Sequence, residues 1–561
     1  MNRNKNILLI LTIICFPIFI SYLNSTYFKI REEILINFKS QPEKSPKSAE
    51  FWNLTGSPIY IDDNNPNYNW SKTAFENSWC RGNGSLSNPY IIENVTINGQ
   101  SSGSCIEIRN SNVPFIIRNC TLSNAGNILD VDAAINLRQV ENGKLIGNNV
   151  SSNPCGILLY YGHNNNISRN ILHNNSKSGL KLILSYYNII ELNNFSYNYD
   201  GISLVDSFHN IISSNLVREN LNYGIYMSVS RYSTLLNNKI HNNTNSGIYI
   251  QWTRTVLISN NVIKYNEYSG IQITDESYDI TISENEVCYN EYSGIQITDE
   301  SYDITISENE VCYNEYSGIQ ITDASYDIII SENEVGHNIE GILMKESFDI
   351  EISSNNIKYN KAKGLYIMDL YNCDVSNNNI SSNEDNGIYL ENTNYTLIIE
   401  NQVMYNSVGL YFINSNNNEI LRNNVNFNSI AKQELNCKGN YFKDNEGIED
   451  TKKPNNELPF ETILMVLIII LLLLLSSAGI VFAKKKYFSK EIRQVAKLQK
   501  TEAEVDIDKE KHFCVVHRGK IVGAAYICPK CESYYCLKCA TSLKENNEAC
   551  WACNSKIDID I

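Results

Sequence analysis

Proline, methionine and tryptophan are scarce in this chain of 561 residues, with 11, 6 and 5 copies. Proline cannot donate a hydrogen bond to a β-ladder, so its scarcity leaves long runs of strand permitted. Positively charged residues are also fewer than negatively charged ones: the chain has 46 Lys and Arg and 62 Asp and Glu, which gives a net charge of −16. That balance excludes nucleic acid as the partner of most of the chain. Tyrosine, with 36 copies, is abundant, as β-rich chains favour.

One 24-residue unit is written three times in residues 267–338. Glu267–Asn290 reads EYSGIQITDESYDITISENEVCYN, Glu291–Asn314 repeats it unchanged, and Glu315–Asn338 repeats it with few changes. Around this block, a Gly followed by Ile or Leu recurs twelve times between Gly156 and Gly409, in steps of 22 to 24 residues. A fixed period of this length predicts a solenoid. The alternation of apolar residues after each Gly predicts a strand with one buried face.

Two asparagine columns, five residues apart, accompany the glycines. They begin at Asn148 and Asn153, where Ala134 takes the Gly position, and continue to Asn423 and Asn428. Asn tolerates the left-handed backbone of sharp turns, and stacked amides can donate to and accept from one another. We therefore predict thirteen stacked coils, which at ~4.8 Å per coil make a rod of roughly 60 Å.

The units have the form G-I-x-I/L followed by I-x-I/L-x-x-N-x-I/V-x-x-N. They resemble the right-handed parallel β-helix of the pectin-lyase-like superfamily, which includes NosD-like proteins and sugar-hydrolase repeats. A leucine-rich repeat would show one Asn and fewer β-branched residues. The predicted fold class is all-β, a right-handed parallel β-helix with a transmembrane helix and a small zinc module. The superfamily hosts lyases, hydrolases, epimerases and adhesins, so the resemblance implies no single activity.

Composition divides the chain into eight predicted segments. An apolar run behind Arg3 and Lys5 is either a signal peptide or an uncleaved anchor. Trp52, Trp70 and Trp79 are expected to cover the first coil. The segments are 1–23 signal peptide or anchor, 24–50 linker, 51–95 N-terminal cap, 96–440 β-helix, 441–461 stalk, 462–483 transmembrane helix, 484–511 cytoplasmic linker and 512–561 zinc module.

The apolar run 463–483 contains no charge and is long enough to span ~30 Å of hydrocarbon as a helix. Lys484, Lys485 and Lys486 follow it directly. Positive residues stay on the cytoplasmic side. We therefore expect a cell-membrane protein in contact with the lipid bilayer, with the β-helix outside and the C-terminal module in the cytoplasm.

Eight cysteines lie in the part predicted to be exported, and two of them occupy the same position of adjacent identical units. The expected Cα–Cα distance between Cys288 and Cys312 is ~5 Å, within the range of a disulfide. Directly stacked side chains point the same way, however. We therefore favour two free thiols that duplication produced.

Acidic residues recur once per coil in two stripes. Paired carboxylates can serve acid–base catalysis or bind Ca²⁺, although a solvated face copied by duplication explains repeated charges more simply. Five histidines (His163, His173, His209, His241 and His337) do not share a column in adjacent coils, which argues against a copper role by analogy with NosD. The candidate ligand-binding stripe is Asp206, Asp275, Asp299, Asp323, Glu346 and Asp369, and the second stripe is Asp279, Asp303, Asp327 and Asp349.

Seven of the 16 cysteines lie in the last 48 residues, where they and His517 form four pairs at two-residue spacing. Four such pairs supply eight ligands for two tetrahedral Zn²⁺, and a module this short needs metal to fold. Sequential or interleaved pairing would both satisfy the spacing. The four-residue gap between Cys531 and Cys536 resembles that of the cross-brace fingers of the FYVE, B-box and RING group, and this resemblance favours interleaving. The ligands are Cys514, His517, Cys536 and Cys539 at one zinc and Cys528, Cys531, Cys550 and Cys553 at the other.

The segments together predict a non-enzymatic surface protein. Its exterior would bind glycans or surface proteins, and its zinc module would bind a cytosolic protein. An anchored polysaccharide lyase or hydrolase, and a RING-like ubiquitin-ligase receptor, are the alternatives. No catalytic residue is identified by the sequence, because the acidic positions repeat whereas an active site is one irregular place.

Overall fold

A computed structural model describes residues 51–126, 132–452, 525–527, 534–536, 540, 543 and 544. The chain divides into two units, Met1–Asn455 and Asn456–Ile561. In the first unit the described residues form a right-handed parallel β-helix of about 15 turns, so the predicted solenoid is confirmed. The strands of successive turns stack into three sheets, which we name A, B and C, and all pairings are parallel except one at the start of sheet C.

Sheet A contains 15 short strands that pair in chain order. They are Trp52–Asn53, Val95–Asn98, Thr121–Ser123, Asn149–Ser151, Ile171–His173, Asn194–Ser196, Leu216–Arg218, Lys239–His241, Val262–Lys264, Glu286–Cys288, Glu310–Cys312, Glu334–Gly336, Asn356–Lys358, Asn379–Ser381 and Gln402–Met404.

Sheet B contains 16 strands, which carry the Gly-Ile or Gly-Leu pairs of the repeat. They are Ile59–Asp62, Ile106–Ser111, Ala133–Val140, Cys155–Tyr160, Ser178–Ile183, Asp200–Val205, Ile225–Ser228, Ile248–Gln251, Ile271–Thr274, Ile295–Ile297, Ser317–Ile321, Glu340–Lys345, Leu365–Met368, Asn386–Glu391, Val408–Ile413 and Ile430–Leu435.

Sheet C begins with an antiparallel pair and continues in parallel. Its strands are Cys80–Arg81, Tyr90–Glu93, Phe115–Arg118, Gly143–Ile146, Asn166–Ser168, Ile189–Glu191, Ile211–Ser213, Arg231–Leu236, Arg254–Ser259, Tyr278–Ser283, Tyr302–Ser307, Tyr326–Ser331, Phe348–Ser353, Tyr371–Ser376, Leu397–Ile399, Glu419–Leu421 and Tyr441–Lys443.

The core is a stack of identical apolar positions. Ile271 and Ile273 of one coil are register partners of Ile295 and Ile297 of the next. All four are fully buried. A single coil has no partner for these side chains, whereas a stack buries them between neighbours.

Both asparagine columns point inward and form amide ladders, as predicted. Asn309 donates its Nδ2 to Asn333 Oδ1 at 2.9 Å, and it accepts the backbone N–H of Asn285 at 3.0 Å. In the second column Asn314 Nδ2 donates to Asn338 Oδ1 at 3.0 Å. The predicted left-handed turn conformation lies one residue earlier, at Glu284 (φ 55°) and Tyr289 (φ 61°). The asparagines therefore satisfy polar backbone groups at the corners instead of adopting the strained conformation themselves.

The recurring glycine is required by the close approach of coils. A Cβ on Gly294 would lie 2.7 Å from the carbonyl oxygen of Gly318 and 2.5 Å from Val311 Cγ1. The Gly318 carbonyl belongs to the backbone of the next coil and cannot move without separating the two coils. The glycine column therefore marks where the backbone of one coil touches the next.

The first coil is closed by a short helix, α1 (Trp70–Glu76), with Asn69 as its N-cap. Trp70 is buried, its indole stacks on Tyr90 at 5.2 Å between ring centroids, and its Nε1–H donates to Ser111 Oγ at 3.0 Å. This tryptophan belongs to the core, where it covers the apolar end of the stack, and it is not available to a sugar.

The structure shows a disulfide between Cys288 and Cys312, so the prediction of two free thiols is wrong. The two cysteines are register partners on adjacent strands of sheet A, with Cα atoms 4.6 Å apart. At that distance a rotation about Cα–Cβ suffices to bring stacked sulfurs together. Parallel side-chain direction is thus no obstacle to the bond.

In the second unit the described residues include an antiparallel hairpin, with Ala525–Ile527 paired to Tyr534–Cys536. Tyr535, Ala540 and Leu543 are buried. The other predicted segments of this unit, including the membrane span 462–483 and the linker 484–511, lie outside the described residues, as do residues 1–50. Among the residues that are described, no helix combines the length and apolarity that a bilayer crossing requires.

Candidate binding face

The outward side chains of sheet B between Tyr226 and Gln320, with the turn residues that flank them, form one continuous surface that we call the sheet B face. Its central column runs Tyr226, Tyr249, Gln272, Gln296 and Gln320, one residue per coil in register. Although these side chains point outward, Gln296 and Gln320 are only 6% and 7% exposed. Neighbouring side chains therefore cover most of these two glutamines, and we call the column the floor of the face.

A serine column holds the glutamine side chains of this floor. Ser269 Oγ donates to Gln296 Oε1 at 2.8 Å, and Ser293 Oγ donates to Gln320 Oε1 at 2.7 Å. The ladder stops at Ser317, whose Oγ has no partner, because Leu343 replaces the next glutamine. The amides are thereby held in one orientation over the three tandem coils.

Tyrosines form a second column, which we call the wall, on the turn that enters sheet B. The rings of Tyr268, Tyr292 and Tyr316 stack with centroids 4.8 and 5.0 Å apart. Because the ring faces cover one another, the column presents edges and hydroxyls to a ligand. At the upstream end Tyr223 stacks on Tyr249 at 4.4 Å.

A hydrogen-bond network ties the upstream tyrosines to the floor. Gln251 Nε2 donates to Tyr226 Oη at 2.8 Å, and Tyr249 Oη donates to Gln251 Oε1 at 3.2 Å. Burial, together with the nearby Tyr223 and Asp275, raises the pKa of Tyr249 above its ordinary value. This phenol is therefore neutral throughout the physiological range and can donate a hydrogen bond.

The predicted acidic stripe is the opposite rim of this face, at the turn that leaves sheet B. Asp275, Asp299 and Asp323 stand on successive coils with left-handed backbones, at φ 55°, 55° and 58°. Glu346 and Asp369 continue the column, whereas Val229 and Trp252 separate Asp206 from it. Asp and Asn adopt the left-handed backbone conformation more readily than most residues, which is one physical reason why Asp recurs at this position of the coil.

Threonine hydroxyls orient the rim carboxylates. Thr298 Oγ1 donates to Asp299 Oδ2, and Thr322 Oγ1 donates to Asp323 Oδ2, each at 2.7 Å. Burial and the neighbouring Asp299 raise the pKa of Asp275. The rim is thus a row of fixed acceptors that repel one another along the column.

The second stripe lies three to four residues further on, in sheet C. Asp279, Asp303, Asp327 and Asp349 also have left-handed backbones, between φ 53° and 55°. Within residues 51–126 and 132–452, the only three acidic, Cys or His side chains that converge within 4.8 Å are Cys288, Glu310 and Cys312. Neither acidic stripe therefore gathers three carboxylates around one point, as a calcium site of protein carboxylates requires.

The histidines stand apart from one another, as the sequence predicts. His163 stacks on Tyr186, His209 lies between Tyr187 and Tyr232, and His337 lies between Tyr313 and Tyr359. His173 and His241 have Ser196 and Lys264 as the next residues of their columns. Each is a rung of an outer column and has no second histidine beside it.

Sequence reasoning identified the rim but not the floor. Gln251, Gln272 and the tyrosines occupy positions between the buried Ile columns, so their alternation was available as a signal. The burial of Gln296 and Gln320 was not. Of the predicted zinc ligands, Cys536 ends a described strand, and the side chains of all eight lie outside the described residues.

A family model described as periplasmic copper-binding protein (NosD) matches residues 118–293 and 286–453. No curated protein sequence matches the chain significantly.

Solved β-helix structures are similar at low identity. The Azotobacter vinelandii mannuronan C-5 epimerase AlgE6 A-module has 14% identity and a TM-score of 0.39, over 63% of this chain and 93% of that one. The Streptococcus pneumoniae surface adhesin PfbA has 12% identity and a TM-score of 0.31, over 47% and 80%. The Dettilon tailspike protein has 13% identity and a TM-score of 0.36, over 48% and 57%. Values in this range carry no information on ligand or reaction. Because the family model covers more than half of the 561 residues, the chain belongs to the NosD family.

Proposed function

We propose that this chain is a membrane-anchored surface protein whose β-helix binds glycans or other surface proteins through the sheet B face. In this proposal residues 462–483 cross the membrane, the β-helix is outside, and residues 512–561 fold around two zinc ions in the cytoplasm and bind a protein partner there.

The repetition of the sheet B face carries the proposal. Three coils present the same glutamine floor, tyrosine wall and aspartate rim, spaced by the ~4.8 Å between neighbouring strands. Amides, phenols and carboxylates at a regular spacing suit the hydroxyls of a chain of sugars, which also repeats regularly. The repetition of the carboxylates favours binding over acid–base catalysis, because an active site is one irregular place.

The test is a glycan array probed with the full chain in detergent, including acidic and neutral polysaccharides. We expect retention of a linear glycan without cleavage, and at least tenfold weaker retention by Tyr249→Ala. Tyr371→Ala is the matched control, because Tyr371 is 65% exposed on sheet C, away from this face. Release of shortened sugars would instead identify a lyase or hydrolase, and absence of retention on every glycan would contradict glycan binding by the sheet B face.

The hairpin of the second unit supports the zinc part of the proposal. Cys528 and Cys531 lie between its two paired strands, and Cys536 ends the second strand. Zinc modules use pairs of ligands that are separated by two residues, and here such a pair lies in the sequence between two paired strands. Elemental analysis of the purified chain is expected to give two zinc ions, and a value below one would refute the ligand assignment.

A further inference from the structure

The charge of the tandem coils limits what the sheet B face can bind. Between Lys264 and Lys345 the sequence contains 18 Asp and Glu and no Lys or Arg. This stretch therefore carries more negative charge than the whole chain, whose net charge is −16. A ligand of the sheet B face lies against this stretch, so the charge of the ligand decides whether it is attracted or repelled.

The rim carboxylates stand beside the floor, on the same side of sheet B. Gln272 and Thr274 are two residues apart on one strand, so both side chains point outward from the sheet. The hydroxyl of Thr274 donates to Asp299 Oδ2, and the hydroxyl of Thr298 donates to the same oxygen. The carboxylate of Asp299 is thus held next to the floor. Asp299 is exposed to solvent, as is Asp323, so a ligand on this face can reach both.

The coil that follows the tandem units shows how the rim holds a positive group. Within the described part of the chain, the three rim aspartates of the tandem coils form no ion pair. In the next coil Lys345 takes the position of Thr322. Its ammonium group pairs with Glu346, the rim residue of that coil, at 2.9 Å. The rim is therefore able to hold an ammonium group, and in the tandem coils a bound ligand can supply one.

The backbone of this face disfavours an extended peptide as the positively charged ligand. A peptide that joins a sheet pairs its backbone with a free strand edge. The strands Ile271–Thr274, Ile295–Ile297 and Ser317–Ile321 are each paired with a neighbour on both sides, so the face has no such edge. It presents amides, phenol hydroxyls and carboxylates, which are hydrogen-bond partners for the hydroxyls and amines of sugars.

We propose that the sheet B face selects a linear glycan whose sugars carry free, protonated amino groups. The rim aspartates hold the ammonium groups, while the wall and the floor bind the sugar hydroxyls. This inference rests on the proposed function and adds the charge of the ligand to it. Polyuronates and sulfated glycans are repelled, because their anionic groups would lie beside carboxylates that no Lys or Arg of the tandem coils neutralises. A neutral glycan gains the hydrogen bonds but not the ionic contacts, so it binds more weakly.

The test measures binding of three glycans to the full chain in detergent: a linear polymer of glucosamine, the same polymer after N-acetylation, and a polyuronate of similar length. N-acetylation removes the charge and keeps the chain of sugars. Wild type is expected to bind the amine polymer about tenfold more tightly than the acetylated one, to lose most of this preference in 1 M salt, and not to bind the polyuronate.

The outcomes separate this inference from the proposed function. Equal binding of the amine and acetylated polymers would overturn the inference and leave glycan binding by the sheet B face standing. Binding of the polyuronate, or of none of the three, would also overturn the inference, whereas the proposed function is decided by the whole glycan array.

Two double variants separate the rim from the general negative charge of the coils. Asp299→Asn/Asp323→Asn removes two rim charges, and Asn tolerates the left-handed backbone and still offers an oxygen to the threonine hydroxyls. Asp303→Asn/Asp327→Asn removes the same charge from exposed residues of sheet C in the same coils. Thermal midpoints from circular dichroism confirm that both variants are folded.

The rim variant is expected to lose the preference for the amine polymer about threefold or more and to bind the acetylated polymer as wild type does. The sheet C variant is expected to keep the preference. Equal losses in the two variants would overturn the inference. An oligolysine with the same number of amines that binds as tightly as the amine polymer would overturn it as well, because the face would then attract any polycation.

Discussion

Truncation of one ladder asparagine gives the strongest test of what holds the β-helix together. The buried Asn378 side chain accepts the backbone N–H of Asn355 at 2.9 Å and the Nδ2 of the same residue at 3.0 Å. It donates to Ile352 O, Ser376 O and Asn401 Oδ1, each at 2.9 to 3.0 Å. In Asn378→Ala the backbone N–H of Asn355 loses this acceptor in a place that water does not reach.

The expected cost follows from these contacts. A buried unsatisfied donor costs about 1–3 kcal/mol, and each further hydrogen bond contributes about 1 kcal/mol net. Asn401 Oδ1 keeps the backbone N–H of residue 378, which lowers the total. We expect Asn378→Ala to reduce the free energy of unfolding by about 3–5 kcal/mol.

The neighbouring Asn379 is a matched control, because the same residue type one position later points outward. Its Nδ2 makes one hydrogen bond, to Asn356 Oδ1 at 3.0 Å, and Asn379→Ala is expected to cost about 0.5 kcal/mol. Urea denaturation followed by circular dichroism gives both values, compared at equal slope. If Asn378→Ala costs no more than Asn379→Ala, the amide ladder is not what stabilises the corners.

Two further predictions concern the glycine column and the acidic stripes. Gly294→Ala is expected to lower stability by about 2 kcal/mol or more, because its Cβ would meet the Gly318 carbonyl; a thermal midpoint equal to that of wild type would show that the coils can separate freely. Burial, then Asp279 and Asp327, raise the pKa of Asp303. A carboxyl whose pKa is raised in the folded state destabilises the fold once the pH rises through that pKa and the group ionises. Asp303→Asn is therefore expected to increase the free energy of unfolding by ~0.5 kcal/mol at pH 7 after allowance for solvent screening. The gain should disappear near pH 3 and shrink in 1 M salt, and a gain that is independent of both would contradict the electrostatic explanation.

The amide ladders stabilise the stacked coils, whereas repulsion within the acidic columns destabilises them. Duplication copies every residue of a unit, so a favourable inward Asn and an unfavourable outward Asp multiply together. The inward contacts are buried and of full strength, whereas the outward repulsion is weakened by water and salt. The fold can therefore carry stacked carboxylates on its outer surface.

The sequence alone determined the fold, because the period, the glycine column and the asparagine columns are properties of the chain that any stacked arrangement must satisfy. A β-strand turns successive residues to opposite faces, so alternation was enough to separate Ile271 and Ile273 from Gln272. The same reasoning predicted the separation of the histidines.

The tertiary structure decided what depends on distances between coils. It bonded Cys288 to Cys312, because sulfurs on adjacent rungs lie close enough whichever way the side chains point. It placed the left-handed turns one residue before each asparagine. It also buried Gln296 and Gln320 beneath neighbouring side chains, although their positions on the strands point outward, because burial depends on which side chains of adjacent coils stack beside them.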